Sequence, residues 1–166
     1  MRWNKKFEYP KSIRSTENGI RRYLIGEKKL PSVTSILDAT KSEEDKAALA
    51  NWRERTGQKE SEAIVKAASS RGSKMHAYLE SYLLGQQNMS FFDDGEQYKK
   101  MAKQIIEKGL INRFEEIWGV ECTLFKPDAY SGTCDAVGIY DGKETIIDFK
   151  QSNKPKKIEY IDTWLL

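Results

Sequence analysis

Two aspartates and a lysine near the end of the chain carry the strongest chemical signal. Asp135 closes Gly132-Thr133-Cys134-Asp135, and Asp148 and Lys150 belong to Ile147-Asp148-Phe149-Lys150. Between the acids lies Asp141-Gly142, and an Asp-Gly pair flanked by strand-like residues is the strongest short-range signal for a two-residue hairpin. With that turn, Tyr140 pairs with Lys143. The register, carried back along both strands, sets Asp135 opposite Asp148, with Lys150 on the same face by alternation. Like charges directly opposite destabilise a strand pair, so this placement points to a cation between them. Hard divalent ions take carboxylate oxygens, and Mg²⁺ binds through one or two carboxylates plus phosphate. Such an ion polarises a phosphodiester and lowers the pKa of bound water. A lysine beside it orients the attacking water or stabilises charge on phosphorus. The competing reading is a solvated strand face with one acid paired to Lys150. The apolar flanks, Ala136-Val137 and Ile146-Ile147, argue against it.

Two more residues bear on this pair. If the preceding hairpin turns about Asp128, Glu121 falls opposite Asp135 and three acids line one face. That turn is longer and contains Pro127. The single histidine, His76, sits on a helix with Glu80 one turn on. A lone helical histidine is more often surface or core than ligand, and both readings stand on the residues alone.

Elements must bring these groups together. Lys6–Tyr9 and Arg21–Ile25 read as short strands around a polar loop closed by Asn18-Gly19. Ser32 is an N-cap for a helix over Val33–Leu37. Ser42-Glu43-Glu44-Asp45 opens a second helix, with Leu49 and Trp52 on one side and Gly57 as its stop. A third helical stretch covers Lys59–Ser69. Arg71-Gly72 breaks it, and a further helix runs to about Leu84 with Met75, Leu79, Tyr82 and Leu83 as its apolar stripe. A loop with Phe91 and Phe92 leads to a long helix from Gly95 to Trp118. Strands follow at 119–126, 130–140 and 143–150, and the pattern turns helical again from Lys156.

The chain has 166 residues, 39% hydrophobic and 32% charged, the mark of one polar-surfaced domain. No apolar run approaches the roughly 18 residues that span a membrane, and the N-terminus lacks the apolar stretch of a secretory signal. A cytoplasmic protein of a bacterium or phage-infected host is expected. Cys122 and Cys134 make neither a disulfide framework nor a zinc site, and two free thiols are expected. Net charge is +3. Residues 1–30 hold nine Lys/Arg against three Glu, and Lys150, Lys154, Lys156 and Lys157 form a second basic cluster. Two basic patches beside a metal site suit a polyanion.

In order and spacing, His76, Asp135 and Asp148-Phe149-Lys150 resemble the PD-(D/E)XK nuclease superfamily. With Leu30–Leu37, Trp52-Arg53 and Gly72-x-x-x-His76, the likeness is to its RecB-type exonuclease branch, which includes phage exonucleases and the mitochondrial genome maintenance exonuclease. The likeness covers about residues 30–166. It implies an α/β (α+β) fold with a restriction-endonuclease-like core. A three-stranded antiparallel meander would lie in a mixed sheet flanked by helices, beside an N-terminal arch-like helical region. It implies one domain, with 1–70 as hairpin and helical region and 71–166 as nuclease core.

The resemblance also implies Mg²⁺ or Mn²⁺ on His76, Asp135, Asp148 and the Phe149 carbonyl, Lys150 as catalytic lysine, and Glu121 as an additional acid. Arg53, Arg55, Arg71, Lys74, Lys154, Lys156 and Lys157 would hold DNA, and Trp52, Phe91 or Phe92 would pack or stack on bases. The branch continues with a Gln-x-x-x-Tyr motif and a closing strand, so the core is expected to lack its last strand. The implied function is metal-dependent exonuclease action on DNA ends, single-stranded by preference, in phage or bacterial replication, recombination or repair. Two alternatives remain: a non-catalytic nucleic-acid-binding or assembly subunit, and a restriction-type endonuclease. A second copy or another chain would cover the apolar end Trp164-Leu165-Leu166.

Overall fold

A computed structural model describes residues 1–86 and 96–152. The expected loop with Phe91 and Phe92, the basic residues Lys154, Lys156 and Lys157, and the helical pattern from Lys156 lie outside the described residues. In chain order the elements are β1 (Arg2–Trp3), β2 (Ile13–Glu17), β3 (Ile20–Ile25), β4 (Lys28–Pro31), α1 (Val33–Ala39), α2 (Glu43–Thr56), α3 (Gln58–Leu83), α4 (Gln97–Ile105), a π-turn (Ile106–Leu110), β5 (Phe114–Lys126), β6 (Tyr130–Tyr140) and β7 (Lys143–Ile147). The fold is mixed α/β. One sheet has the order β1-β5-β6-β7, with β1 parallel to β5 and the rest an antiparallel meander. The other is the antiparallel meander β2-β3-β4. Among the described residues no helix is long and apolar enough to cross a membrane.

Turn chemistry sets both meanders. Asn18 and Gly19, and again Asp141 and Gly142, adopt positive φ, as the tight turn matched to strand twist requires. Tyr140 pairs with Lys143 and Ala136 with Ile147, the register expected from Asp141-Gly142. Ser32 caps α1 by accepting from the Ser35 amide, and Ser42 caps α2 by accepting from Asp45. Acids fill the first turn of α2 and arginines its last, as the helix dipole favours.

Four expectations need correction. The strand expected at Lys6–Tyr9 is absent. The partner of β3 is Ile13–Glu17, the residues that directly flank the Asn18-Gly19 turn. Phe7 instead stacks edge-on against Trp118 and Tyr9. Gly72 does not break the helix, and α3 runs through it and across position 70. A Cβ at Gly72 would stand 3.0 Å from Gln151 Nε2, so this glycine makes room for the chain beyond β7. The expected long helix over 95–118 ends at the π-turn, and β5 begins at Phe114. Trp52, expected on an apolar side of its helix, is only half-buried, and α2 buries no residue at all.

The main core lies between α3, α4 and one face of the large sheet. Met75, Leu79 and Leu83 pack with Ala102, Ile106 and Leu110 against Phe114, Ile117, Ala136 and Phe149. On the opposite face Trp118, Cys122, Cys134 and Val137 pack with Tyr9 and Leu124. Both thiols are free and stand opposite each other across β5 and β6. β1 is fastened at both ends of its role. The Trp3 indole donates to the Leu83 carbonyl at 3.2 Å, and Glu116 is held down to about pKa 2 by Arg2, Trp118 and Asn4. In contrast α2 and the first part of α3 bury only Ser61, so this helical pair stands clear of the core.

Bulges in β5 shift its pairing with β6 between Phe114 and Glu116 and between Ile117 and Gly119. There the strands approach so closely that a Cβ at Gly138 would meet the Glu116 carbonyl oxygen at 1.9 Å. Gly138→Ala is therefore expected to destabilise the protein by about 1–3 kcal/mol, read as a lower urea midpoint. An unchanged midpoint would mean the bulge is not the constraint it is taken to be.

Candidate metal centre

α3 presents Met75, Tyr78, Leu79 and Leu83 to the core. His76 and Glu80, one residue along from Met75 and Leu79, therefore lie at the edge of that stripe and face the sheet where β5 meets β6. Asp135 is buried in β6, and each of its oxygens has a partner. Oδ1 lies 3.0 Å from His76 Nδ1, and Oδ2 accepts from the Phe149 amide. One carboxylate thereby joins the helix, the central strand and the segment after β7. The Phe149 ring stands edge-on to the His76 imidazole at 6.4 Å.

Glu121 occupies the β5 position between Val120 and Cys122, which pair with Ala136 and Cys134. It is thus opposite Asp135, as the hairpin about Asp128 requires. Its backbone is left-handed, with φ of 51°, a costly conformation for a residue with a long side chain. A Cβ at Gly119 would fall 2.2 Å from Cys122 Sγ, so positions 119 and 122 share a side. In a regular strand positions three apart face opposite ways, and the turn of Glu121 takes up that slip. His76, Glu121 and Asp135 each offer one ligand atom, and these atoms lie within 4.8 Å of one another.

The pairing of β6 with β7 stops at Ala136 and Ile147, one step short of the expected Asp135–Asp148 pair. The like-charge penalty explains the stop. Asp135 takes the Phe149 amide, and Asp148 turns to Lys150, whose Nζ is 2.6 Å from Asp148 Oδ2. Both side chains are about half exposed. Asp148 is thus outside the three-residue cluster of His76, Glu121 and Asp135, yet its charge is felt by both His76 and Glu121. The Asp148-Phe149-Lys150 segment is held against α3 by Gln151, which donates to the Ala68 carbonyl and accepts from Arg71 Nε at 2.6 Å. No local sequence signal marks Gln151, because its partner lies on a helix far back in the chain.

The electrostatics are those of a site crowded with acid. His76 is raised above its usual pKa, chiefly by its hydrogen bond to Asp135, against a smaller opposing effect of burial. Glu121 is raised by burial first, then by Asp135 and Glu80. The donor set, one imidazole and two carboxylates, suits Mg²⁺ or Mn²⁺. An octahedral ion with bonds of about 2.1 Å places its ligands roughly 3–4 Å apart, which the cluster meets with small adjustment.

The expected nucleic-acid contacts are scattered. Arg53 and Arg55 are exposed on the last turn of α2. Arg71 also reaches Gln97, so its guanidinium serves the Gln151 link. Lys74 lies 3.7 Å from Glu96 and over the Tyr98 ring.

No protein-family profile matches the chain. The chain is similar to mitochondrial genome maintenance exonuclease 1 of Mus musculus, with 28% identity over 134 residues covering 78% of this chain and 39% of the mouse protein. The Homo sapiens protein of the same name gives 28% identity over 139 residues, 76% of this chain and 38% of the human protein. The chain thus spans about two fifths of the length of these relatives.

Protons and a divalent ion compete for the same ligands. Without metal, the raised values mean that the folded state holds protons on His76 and Glu121 more tightly than the unfolded chain does. That stabilisation is complete below their ordinary values of 6.5 and 4.5 and is lost as pH rises through the raised ones. In EDTA the melting temperature should therefore fall from pH 6 to pH 8, and His76→Gln should flatten the fall. The rise in melting temperature on adding Mn²⁺ should be larger at pH 8 than at pH 6, a hundredfold excess over Kd adding about 2.7 kcal/mol of stability, and Asp135→Asn should largely remove it. A Mn²⁺ effect that survives Asp135→Asn would place the ion elsewhere.

Proposed function

We propose that the protein is a divalent-metal-dependent nuclease that hydrolyses single-stranded DNA from a free end. The observation that carries this reading is the convergence of His76, Glu121 and Asp135 beside the Asp148–Lys150 pair. The distant likeness to two proteins named as exonucleases supports it.

His76, Glu121 and Asp135 would hold Mg²⁺ or Mn²⁺, with Asp148 at its edge. The bound ion would supply Lewis-acid polarisation of the phosphodiester and a more acidic water. The chain's own groups do the rest. Asp135 is fixed by the Phe149 amide, so its free lone pairs keep one direction. Lys150 is half exposed and pairs with Asp148. On a phosphate its ammonium orients the attacking water and offsets charge building on the non-bridging oxygens. Asp148, 2.6 Å away, would keep that ammonium aimed. Arg53 and Arg55, on a helix that buries nothing, would meet phosphates outside the centre, in the manner of a strand-guiding arch. The setting is the handling of DNA ends in replication, recombination or repair.

The test is degradation of end-labelled linear single-stranded DNA with Mg²⁺ or Mn²⁺, with a circular strand in parallel. Linear DNA should be consumed and the circle spared. Lys150→Ala should slow the reaction about 10²–10³-fold while leaving the Mn²⁺ melting shift in place. Cleavage of the circle would make the enzyme an endonuclease. Binding without cleavage under any divalent ion would make the protein a non-catalytic nucleic-acid subunit.

A further inference from the structure

A second concave surface opens off the proposed metal centre. It is a polar cleft of about 620 Å³ between the β2 side of the small sheet and strands β5 and β6. Lys11, Ser12 and Arg14 form one wall; Glu121, Thr123 and Thr133 form the other. Glu121 belongs to both the cleft and the His76–Asp135 cluster, so anything lying in the cleft passes one end of that cluster.

The cleft is built by two fixed relations. Ser12 Oγ and Thr123 Oγ1 are 2.8 Å apart and tie the chain before β2 to β5. Arg14 pairs with Tyr23, which in turn pairs with Leu30. Tyr23 and Leu30 are buried, so Arg14 ends the row on the face that the small sheet turns toward the body of the protein. Lys6, Lys28 and Lys29 are taken up elsewhere, by Glu144, Asp128 and Glu17. Among the described residues Lys11 and Arg14 have no ion-pair partner, and both are exposed. The cleft thus sets two uncommitted cations and a floor of hydroxyls against a single acid, and that acid belongs to the proposed metal centre.

We infer that this cleft carries the backbone of one nucleic-acid strand past the metal centre, with Lys11 and Arg14 each taking a phosphate. The inference rests on the nuclease reading for its ligand class. Its volume is that of a small-ligand pocket, which admits a short single-stranded stretch and excludes a duplex. Arginine meets phosphate through two parallel hydrogen bonds and lysine as a point charge. Hydroxyls from Ser12, Thr123 and Thr133 add contacts that do not depend on base sequence.

Binding of a fluorescein-labelled single-stranded oligodeoxynucleotide, measured by anisotropy in EDTA over a salt series, tests the cleft without needing catalysis. Each phosphate contact on a single strand contributes about 0.7 to the slope of log K against log salt. The double variant Lys11→Ala/Arg14→Ala should bind about tenfold more weakly at low salt, with a slope shallower by about 1.4. Its Mn²⁺ melting shift should match the wild type, which shows that fold and metal centre are intact. Lys108→Ala, outside the cleft, should bind as the wild type does. A double variant with the wild-type slope overturns the cleft even if the protein degrades DNA. Salt-dependent binding that is lost in the double variant, with no degradation by either protein, supports the cleft and overturns the nuclease reading. No salt-dependent binding by the wild type overturns the cleft.

Discussion

The Asp135 carboxylate is the junction on which the site depends. It lies buried in the central strand of the meander, with one oxygen on the His76 imidazole and the other on the Phe149 amide. A buried carboxylate is costly unless its charge is met by donors, and here the donors come from two other parts of the chain. Satisfying Asp135 therefore brings α3 against the sheet and draws the segment after β7 back toward β6. The same contact ends the β6–β7 ladder, because the amide that bonds Asp135 belongs to the residue after Asp148. The position of Lys150 follows from where that ladder stops.

Around this junction the sheet departs from regular geometry, and each departure serves the approach of acids. Close packing at Gly138 and Gly119 lets β5 slip relative to β6. Beyond that slip Glu121 adopts a left-handed conformation and brings a second carboxylate to Asp135. Backbone strain of roughly 1–3 kcal/mol and like-charge repulsion both oppose this arrangement. In the proposed reading, a divalent cation held by His76, Glu121 and Asp135 would offset the repulsion.

The sequence made part of this legible. Asp141-Gly142 set the β6–β7 register, and the turn about Asp128 set Glu121 opposite Asp135, because both are local turn problems. Ser32 and Ser42 marked helix starts for the same reason. The misread elements are those where tertiary contacts override local signals. Gly72 looks like a helix stop, but it is a space for Gln151, whose place no local pattern encodes. Phe114 and Ile117 have helical spacing and both reach the core. In β5 that spacing comes from the bulge between Phe114 and Glu116, which turns strand alternation into an apparent helical step. The displacement of Asp148 from the cluster was also hidden, since register alone does not say where a ladder yields to charge repulsion.

The two positive groups at the centre differ in a way that bears on its chemistry. His76 carries its charge only when protonated, and Asp135 favours that state. Lys150 lies against Asp148 at 2.6 Å. Together they face Glu80, Glu121, Asp135 and Asp148, so acids outnumber cations even with His76 protonated. In the proposed reaction His76, Glu121 and Asp135 would hold a divalent ion, which would supply positive charge among these acids in place of the proton on His76. With that charge in place the hold of Asp148 on Lys150 would weaken, leaving the ammonium to a phosphate oxygen. Holding a metal and engaging Lys150 would then be electrostatically linked, joining the cluster on α3, β5 and β6 to the Asp-x-Lys segment that stands beside it.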